Sequence, residues 1–236
     1  LGDVYKRQLT LPRGEIVGLL GENGAGKTTL LKCILGLHRF QGEILLDDRP
    51  LTRKDYAKLS FATSEHSFFP ALSAQAHRDF YAGHFPRFRQ ARYDGLMDFF
   101  QLPRHKAAGR LSTGQQNQLE VILALSQGAD YILMDEPFSA VDHLTKCTLQ
   151  EELINIRQAE NKTVLFVTHD INEAVFLADR VVLLSPRPST IQKIYEIPLE
   201  QKRGRSDPLL LKIAAEIAKD INSGGQDIPN NYWGNL

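Results

Sequence analysis

The sequence predicts an α/β fold, a mostly parallel core sheet flanked by helices, on three observations. Ile16–Leu20 is a short apolar run that leads into GENGAGKT, Gly21–Thr28, and then into the helical pattern TTLLKCILGL. Tyr131–Met134 is a second apolar run, and it stops at two acids, Asp135 and Glu136. VLFVTHD holds a third, ending at His169. Strands buried on both faces read as near-continuous apolar runs, and in an open parallel sheet the chemistry sits just past their carboxyl ends.

Bulk composition narrows the classes of function. The 236 residues suit one large domain or two small ones. Basic and acidic residues stand at 28 each, so no overall field favours a nucleic-acid partner. Cys33 and Cys147 lie far apart without CxxC spacing and read as free thiols of a reducing cytosol. No apolar run has the length needed to cross a bilayer, which leaves any membrane role to a partner. His38, His66, His77, His84, His105 and His143 lack metal-ligand spacing.

At the amino end, LGDVYKRQ does not read as structure. DVYKRQ resembles the translation of a sequencing-library adapter, so residues 1–8 are expected to be a non-native scar, with strand-like pattern beginning at Leu9. The glycine run from Gly21 to Thr28 fits G-x-x-x-x-G-K-[ST] between a strand and a helix, the context such a loop needs. Glycines let backbone N–H groups turn inward, and the helix N-terminus adds partial positive charge. Gly21, Glu22, Asn23, Gly24, Ala25, Gly26, Lys27, Thr28 and Thr29 are therefore the expected phosphate cradle, with Lys27 reaching the outer phosphates. The Thr28 hydroxyl suits Mg²⁺, which takes few protein oxygens and keeps waters.

Asp135 and Glu136 repel one another when ionised, and buried unpaired carboxylates are costly. A phosphate loop nearby resolves this. Asp135, ending its strand beside the loop, is placed to hold Mg²⁺, and Glu136 to accept a proton from attacking water. At the carboxyl end, RSDPLLLKIAAEIAKDIN predicts a helix with Ser206 as cap, Pro208 in the first turn, and Leu210, Ile213, Ile217 and Ile221 on one face. SGGQDIPNNYWGNL then reads as a loose tail.

With these residues in place, Leu9 to about Glu200 resembles the ATP-binding subunit of ABC transporters, a branch of the P-loop NTPases. LSTGQQ, Leu111–Gln116, is the most specific mark and is similar to the family signature, with Thr113 where glycine is usual. The resemblance implies a helical subdomain at about 73–127. It also implies that Ser112, Gly114 and Gln115 face the ATP of a second subunit across a head-to-tail dimer. Ser112 fits as a helix cap, and a helix N-terminus suits an anion. SAVD, ending at Asp142, resembles the segment that links the two sites, and His169 resembles the switch histidine beside the γ-phosphate.

The likeness breaks in two places. The family carries a magnesium-binding glutamine between cradle and signature; registering on FFPALS puts Ser64 there, with Glu65 next to it, and either or neither supplies the oxygen. FFPAL is a contact for a permease's coupling helix or part of the core. The family's adenine-stacking aromatic, worth about 1–3 kcal/mol, lies on a strand well upstream of the loop. That strand is expected to be missing, leaving an open sheet edge and weaker ATP binding; Tyr5 falls in the scar and is not assigned. Moreover, FATSEHSFFP and STGQQNQLEVILALSQGADYILMDEPF are similar to exporter ATPases. TVLFVTHDINEAVFLADRVVLLSPRP and RSDP are similar to nitrate, sulfonate and taurine importer ATPases. A chimera joined near 134–139 is the expectation.

The resemblance implies an ATPase with ATP and Mg²⁺ as cofactors, peripheral on the cytoplasmic face of the membrane. Its implied partners are permease subunits, a second ATP-binding subunit and, for an importer, a substrate-binding protein. Residues 9–200 would form the ATP-binding domain and 201–236 the helix and tail. The competing readings are a soluble ABC ATPase on nucleic acid or ribosomes, and a nucleotide-binding module without turnover.

Overall fold

The computed structural model describes residues 8–186, 189–198 and 204–223. Its elements, in chain order, begin with β1 (Ile16–Leu20), α1 (Lys27–Ile34), β2 (Leu45–Leu46), β3 (Arg49–Pro50), a 3₁₀ helix (Arg53–Lys58) and β4 (Leu59–Thr63). Next come α2 (Ala74–His84), α3 (Gln90–Phe99), a short 3₁₀ turn (Ala108–Arg110), α4 (Thr113–Ser126), β5 (Tyr131–Asp135) and α5 (His143–Glu160). Then follow β6 (Thr163–Val167), α6 (Ile171–Leu177), β7 (Arg180–Leu184), β8 (Ile191–Glu196) and α7 (Pro208–Ser223).

The strands form one sheet in the order β4-β5-β6-β1-β7-β8. All neighbours are parallel except β8, which runs antiparallel to β7. The apolar runs fill both faces because side chains alternate along a strand. Val17, Leu19, Leu133, Leu165, Val167 and Val182 face α1, where Leu31 joins them. Ile16, Leu20, Ile132, Met134, Val164 and Phe166 face the opposite layer, with Leu149 and Leu153 of α5 and Ala174 of α6. The start of β1 is fixed by Asp179, whose carboxylate accepts the Ile16 N–H at 2.7 Å and pairs with the Arg157 guanidinium. A separate apolar cluster joins α2, α3 and α4 through Ala74, Tyr93, Met97, Leu119 and Ile122.

Several boundaries differ from the sequence expectation. Leu9 and Leu11 pack against the core but form no strand. The helix read through Leu37 stops at Ile34, because Gly36 takes φ +70° and the chain reverses. The Leu37 N–H then reaches the Lys32 carbonyl at 2.8 Å and the Gly36 N–H the Cys33 carbonyl at 3.0 Å, which satisfies orphan carbonyls of α1. The third buried strand ends at Val167, so His169 lies on the following turn. Asp207, not Ser206, caps α7: its side chain accepts the Leu209 N–H at 2.8 Å. Pro208 opens that helix as its first residue, where a missing N–H costs nothing.

The seam expected at 134–139 falls where β5 ends; β5 is in register with β4 on one side and β6 on the other. Residues 1–7 of the expected scar, residues 201–203, and residues 224–236 of the expected tail lie outside the described residues, as does Tyr5. Leu37 and Phe40, between α1 and β2, and Leu45, in β2, are exposed apolar side chains. Among the described residues no helix is long and apolar enough to cross a membrane.

On α7, Leu210, Ala214 and Ile217 are buried in the main core, with Ile213 and Ile221 packed at its margin, so the helix docks on α6 through the predicted face. Ile217 is fully enclosed. Ile217→Ala is expected to cost about 2–5 kcal/mol of unfolding free energy, read from the urea midpoint. An unmoved midpoint would show that α7 contributes nothing to the fold.

Candidate functional site

The carboxyl ends of β1, β4, β5 and β6 bring four segments of the chain to one edge of the sheet. The loop after β1 turns at Gly24 and Gly26, with φ near +84° and +85°, values that L side chains rarely adopt. Gly21 approaches β7 so closely that a Cβ would lie 3.1 Å from that of Leu184. Glu22, Asn23, Gly24 and Thr29 are exposed, Ala25 is buried, and Thr28 is half-buried. Lys27 folds back under the loop and donates to the Gly21 and Glu22 carbonyls at 2.7 and 2.9 Å. Burial lowers its ammonium from the usual lysine range, while Glu136 and Asp135 pull the other way.

Asp135 is 5% exposed, and its Oδ1 has no hydrogen-bond partner. Burial raises its carboxyl above the usual range; a hydrogen bond from the Thr28 hydroxyl opposes this, Glu136 and Glu65 add to it, and Lys27 opposes it. The two acids therefore sit beside the ammonium and the hydroxyl that the glycine loop carries. The chain turns at 137–140 and the next helix, α5, is capped by Asp142, not by this pair: the Asp142 side chain accepts the Thr145 N–H at 3.1 Å.

Glu136 sits in left-handed backbone at φ +48°, an unfavourable setting for a side-chain-bearing residue. Its N–H donates to the Val167 carbonyl at 3.0 Å, and its Oε1 lies 3.1 Å from the His169 Nδ1. His169 is solvent-facing on a turn held at both sides. Thr168 donates its N–H to the Leu19 carbonyl at 3.3 Å and its hydroxyl to Glu173 at 2.6 Å, while Asp170 caps α6. The Ser64 N–H donates to the Asp135 carbonyl at 3.2 Å, which sets Ser64 and Glu65 at the same corner; the Glu65 carboxylate also accepts Lys32 at 3.0 Å.

Ser112 caps α4 through a reciprocal box with Gln115: its Oγ accepts the Gln115 N–H at 3.3 Å and its N–H donates to Gln115 Oε1 at 3.1 Å. A Cβ on Gly114 would meet the Ala140 carbonyl oxygen at 3.1 Å. The start of α4 thus lies against the segment between Glu136 and Asp142.

Residues 5–139, more than half of the chain, match the family model described as ABC transporter. The chain belongs to the ABC transporter family. The aliphatic sulfonates import ATP-binding protein SsuB of Bacillus cereus is 32% identical over 218 residues, covering 91% of this chain and 86% of that one. The nitrate import ATP-binding protein NrtD of Synechococcus elongatus is 33% identical over 226 residues, covering 88% and 80%. Among solved structures, the dimeric ABC transporter cassette MJ0796 superposes with a TM-score of 0.71 at 24% identity, covering 82% of this chain and 90% of that one. The same cassette in a post-hydrolysis state bound to ADP and Pi gives 0.70 at 24% identity, with the same coverage.

Within this ABC transporter chain, the fold gathers Gly21–Thr28, Asp135, Glu136 and His169, with Ser64 and Glu65 at their margin. Among the described residues no hydrogen bond or ion pair joins Ser112, Gly114, Gln115 or Asp142 to the glycine loop. FFPAL divides: Phe68 is buried in the α2–α4 cluster, whereas Phe69 is 50% exposed. His77, which lacks metal-ligand spacing, and Glu120, which no motif marks, are both buried near this loop. His77 is fully buried; its Nε2 accepts the Phe69 N–H at 3.0 Å and its Nδ1 lies 2.8 Å from the Ser73 carbonyl, fixing the loop that presents Phe69. Glu120 is an acid inside the apolar run LEVILAL, and that interruption was its signal.

Proposed function

We propose that Gly21–Thr29 holds the phosphates of ATP, that Thr28 and Asp135 hold Mg²⁺, and that Glu136 takes the proton of the attacking water with His169 orienting it. The observation that carries this is the buried Asp135, with one oxygen unpartnered, beside the Thr28 hydroxyl and the Lys27 ammonium. A buried carboxylate oxygen without a donor is costly alone and suited to a hard cation. When bound, Mg²⁺ offsets charge on the phosphoryl oxygens. Lys27 and the inward amides do the same from the protein side. Ser64 or Glu65, at the same corner as Asp135, would add an oxygen to the same cation, or neither would.

In this reading the chain is the ATP-hydrolysing subunit that powers an ABC membrane transporter. Ser112, Gly114, Gln115 and Asp142 serve the nucleotide of a second copy, paired head to tail. The capped, exposed start of α4 supports that arrangement. Residues 73–127 act as a helical subdomain within an ATP-binding domain spanning 9–200. SsuB and NrtD are import proteins by name, which supports import and, with it, a substrate-binding protein. The seam at 134–139 is tested by one unbroken genomic read across it from a single organism, which would overturn a chimera.

The chain sits peripherally at the cytoplasmic face through its permease. Phe69, stacked on His77 and edge-on to Phe80, is the exposed apolar anchor for that contact. Phe69→Asp is expected to abolish co-purification with the permease while leaving the ATPase rate of the isolated chain within about twofold, since exposed substitutions cost little stability. Retention of RNA in place of a hydrophobic partner would overturn the transport reading.

A further inference from the structure

Glu120 is an acid inside a buried, otherwise apolar stretch of α4: Leu119, Val121, Ile122 and Leu123 beside it in sequence are all at most 2% exposed, and Glu120 itself is 3% exposed. A carboxylate in such a place is costly unless its bonds are worth keeping. Its Oε1 accepts two bonds from Ser67, one from the N–H at 3.0 Å and one from the hydroxyl. Its Oε2 has no partner. Burial raises the carboxyl above the usual range, with the Ser67 bonds opposing; burial also pushes the neighbouring Tyr81 phenol up to about 12, and the Glu120 charge adds to that.

The two ends of this contact lie on different parts of the site. Ser67 follows the Ser64–Glu65 corner, which is tied to Asp135 through the Ser64 N–H. Glu120 is on α4, two turns from Ser112 at its exposed start. α4 also packs directly on β4, whose last residue, Thr63, is in register with Asp135. The Asp135 main chain is therefore joined, through the Ser64–Ser67 segment and its bonds to Glu120, to the helix that Ser112 starts.

We propose that Glu120, through Ser67, is a positioning residue that couples the Asp135 corner to the Ser112 end of α4. The inference rests on the proposed ATPase reading. Spatial continuity is not coupling, so the test must measure coupling. Mg²⁺-ATP turnover and nucleotide affinity, by titration with a fluorescent ATP analogue, are measured on the full chain for Glu120→Ala, Glu120→Gln, Ser67→Ala and the double alanine variant. Glu120→Ala is expected to lower kcat about tenfold with affinity within about twofold, and the double variant to be no slower than the slower single. Glu120→Gln, which keeps an acceptor oxygen for Ser67, is expected to restore most of the rate. Should Glu120→Ala fail to fold, Ser67→Ala, at an exposed position, carries the same expectation of lowered kcat at unchanged affinity. Unchanged kcat, a parallel fall in affinity, or additive losses overturn the coupling while leaving the ATPase reading standing. No turnover in the unaltered chain overturns the ATPase reading, and the coupling with it.

Discussion

Glu136→Gln is expected to leave ATP binding within about twofold and to slow phosphate release by about 10²–10⁴-fold, the range for losing a positioned general base. The substitution keeps the shape of the side chain and an oxygen for the contact with His169, 3.1 Å away. What it removes is the ability to take a proton. The left-handed backbone at Glu136 is inherited unchanged, so the cost of that conformation is the same in both proteins. His169 acts through the same water in the proposed mechanism. His169→Ala should therefore slow turnover too, and the double variant should be no slower than the worse single, because residues that act as a unit are not additive. Phosphate release against ATP concentration, with nucleotide titration in parallel, separates binding from chemistry. Undiminished turnover in Glu136→Gln would take Glu136 out of its role and leave its strained backbone without a functional account.

Much of this site was legible because its signals are local. Ile16–Leu20 emerges with the boundaries read from its apolar run, and the glycine loop follows from spacing alone. The chain's glycines explain what a propensity argument cannot see at one step further. Gly36 could be read as part of a helix, and only the return of the Leu37 N–H to Lys32 shows why the helix stops there. Glu120 was hidden for a different reason. A single acid in an apolar run reads as a helix surface until the loop carrying Ser67 is folded onto it, across a separation of 53 residues. Ser206 and Asp207 are both good caps one residue apart, and the position of Pro208 as the first helical residue decides for Asp207. In the proposed reading LSTGQQ serves a second copy, so a single chain displays its capped start and not the anion it would face.

Lys27→Ala is expected to weaken ATP binding by about 10²-fold or more, the range for truncating one partner of a buried charge pair. Two losses combine. In the proposed reading the ammonium no longer meets the outer phosphates, and the Gly21 and Glu22 carbonyls lose the donor at 2.7 and 2.9 Å that holds the loop in shape. The apo protein should also change. Lys27 is among the groups that counter the upward push on the Asp135 carboxyl, and without it Asp135 and Glu136 face each other with less compensation. The sign of that effect fixes a second measurement. Asp135→Asn placed on top of Lys27→Ala removes the uncompensated charge, so it should recover part of the melting temperature lost by the single variant, yet recover no nucleotide affinity. Recovery of both would mean that Lys27 only shapes the loop; recovery of neither would mean that the acids and the ammonium do not balance one another in the absence of ATP.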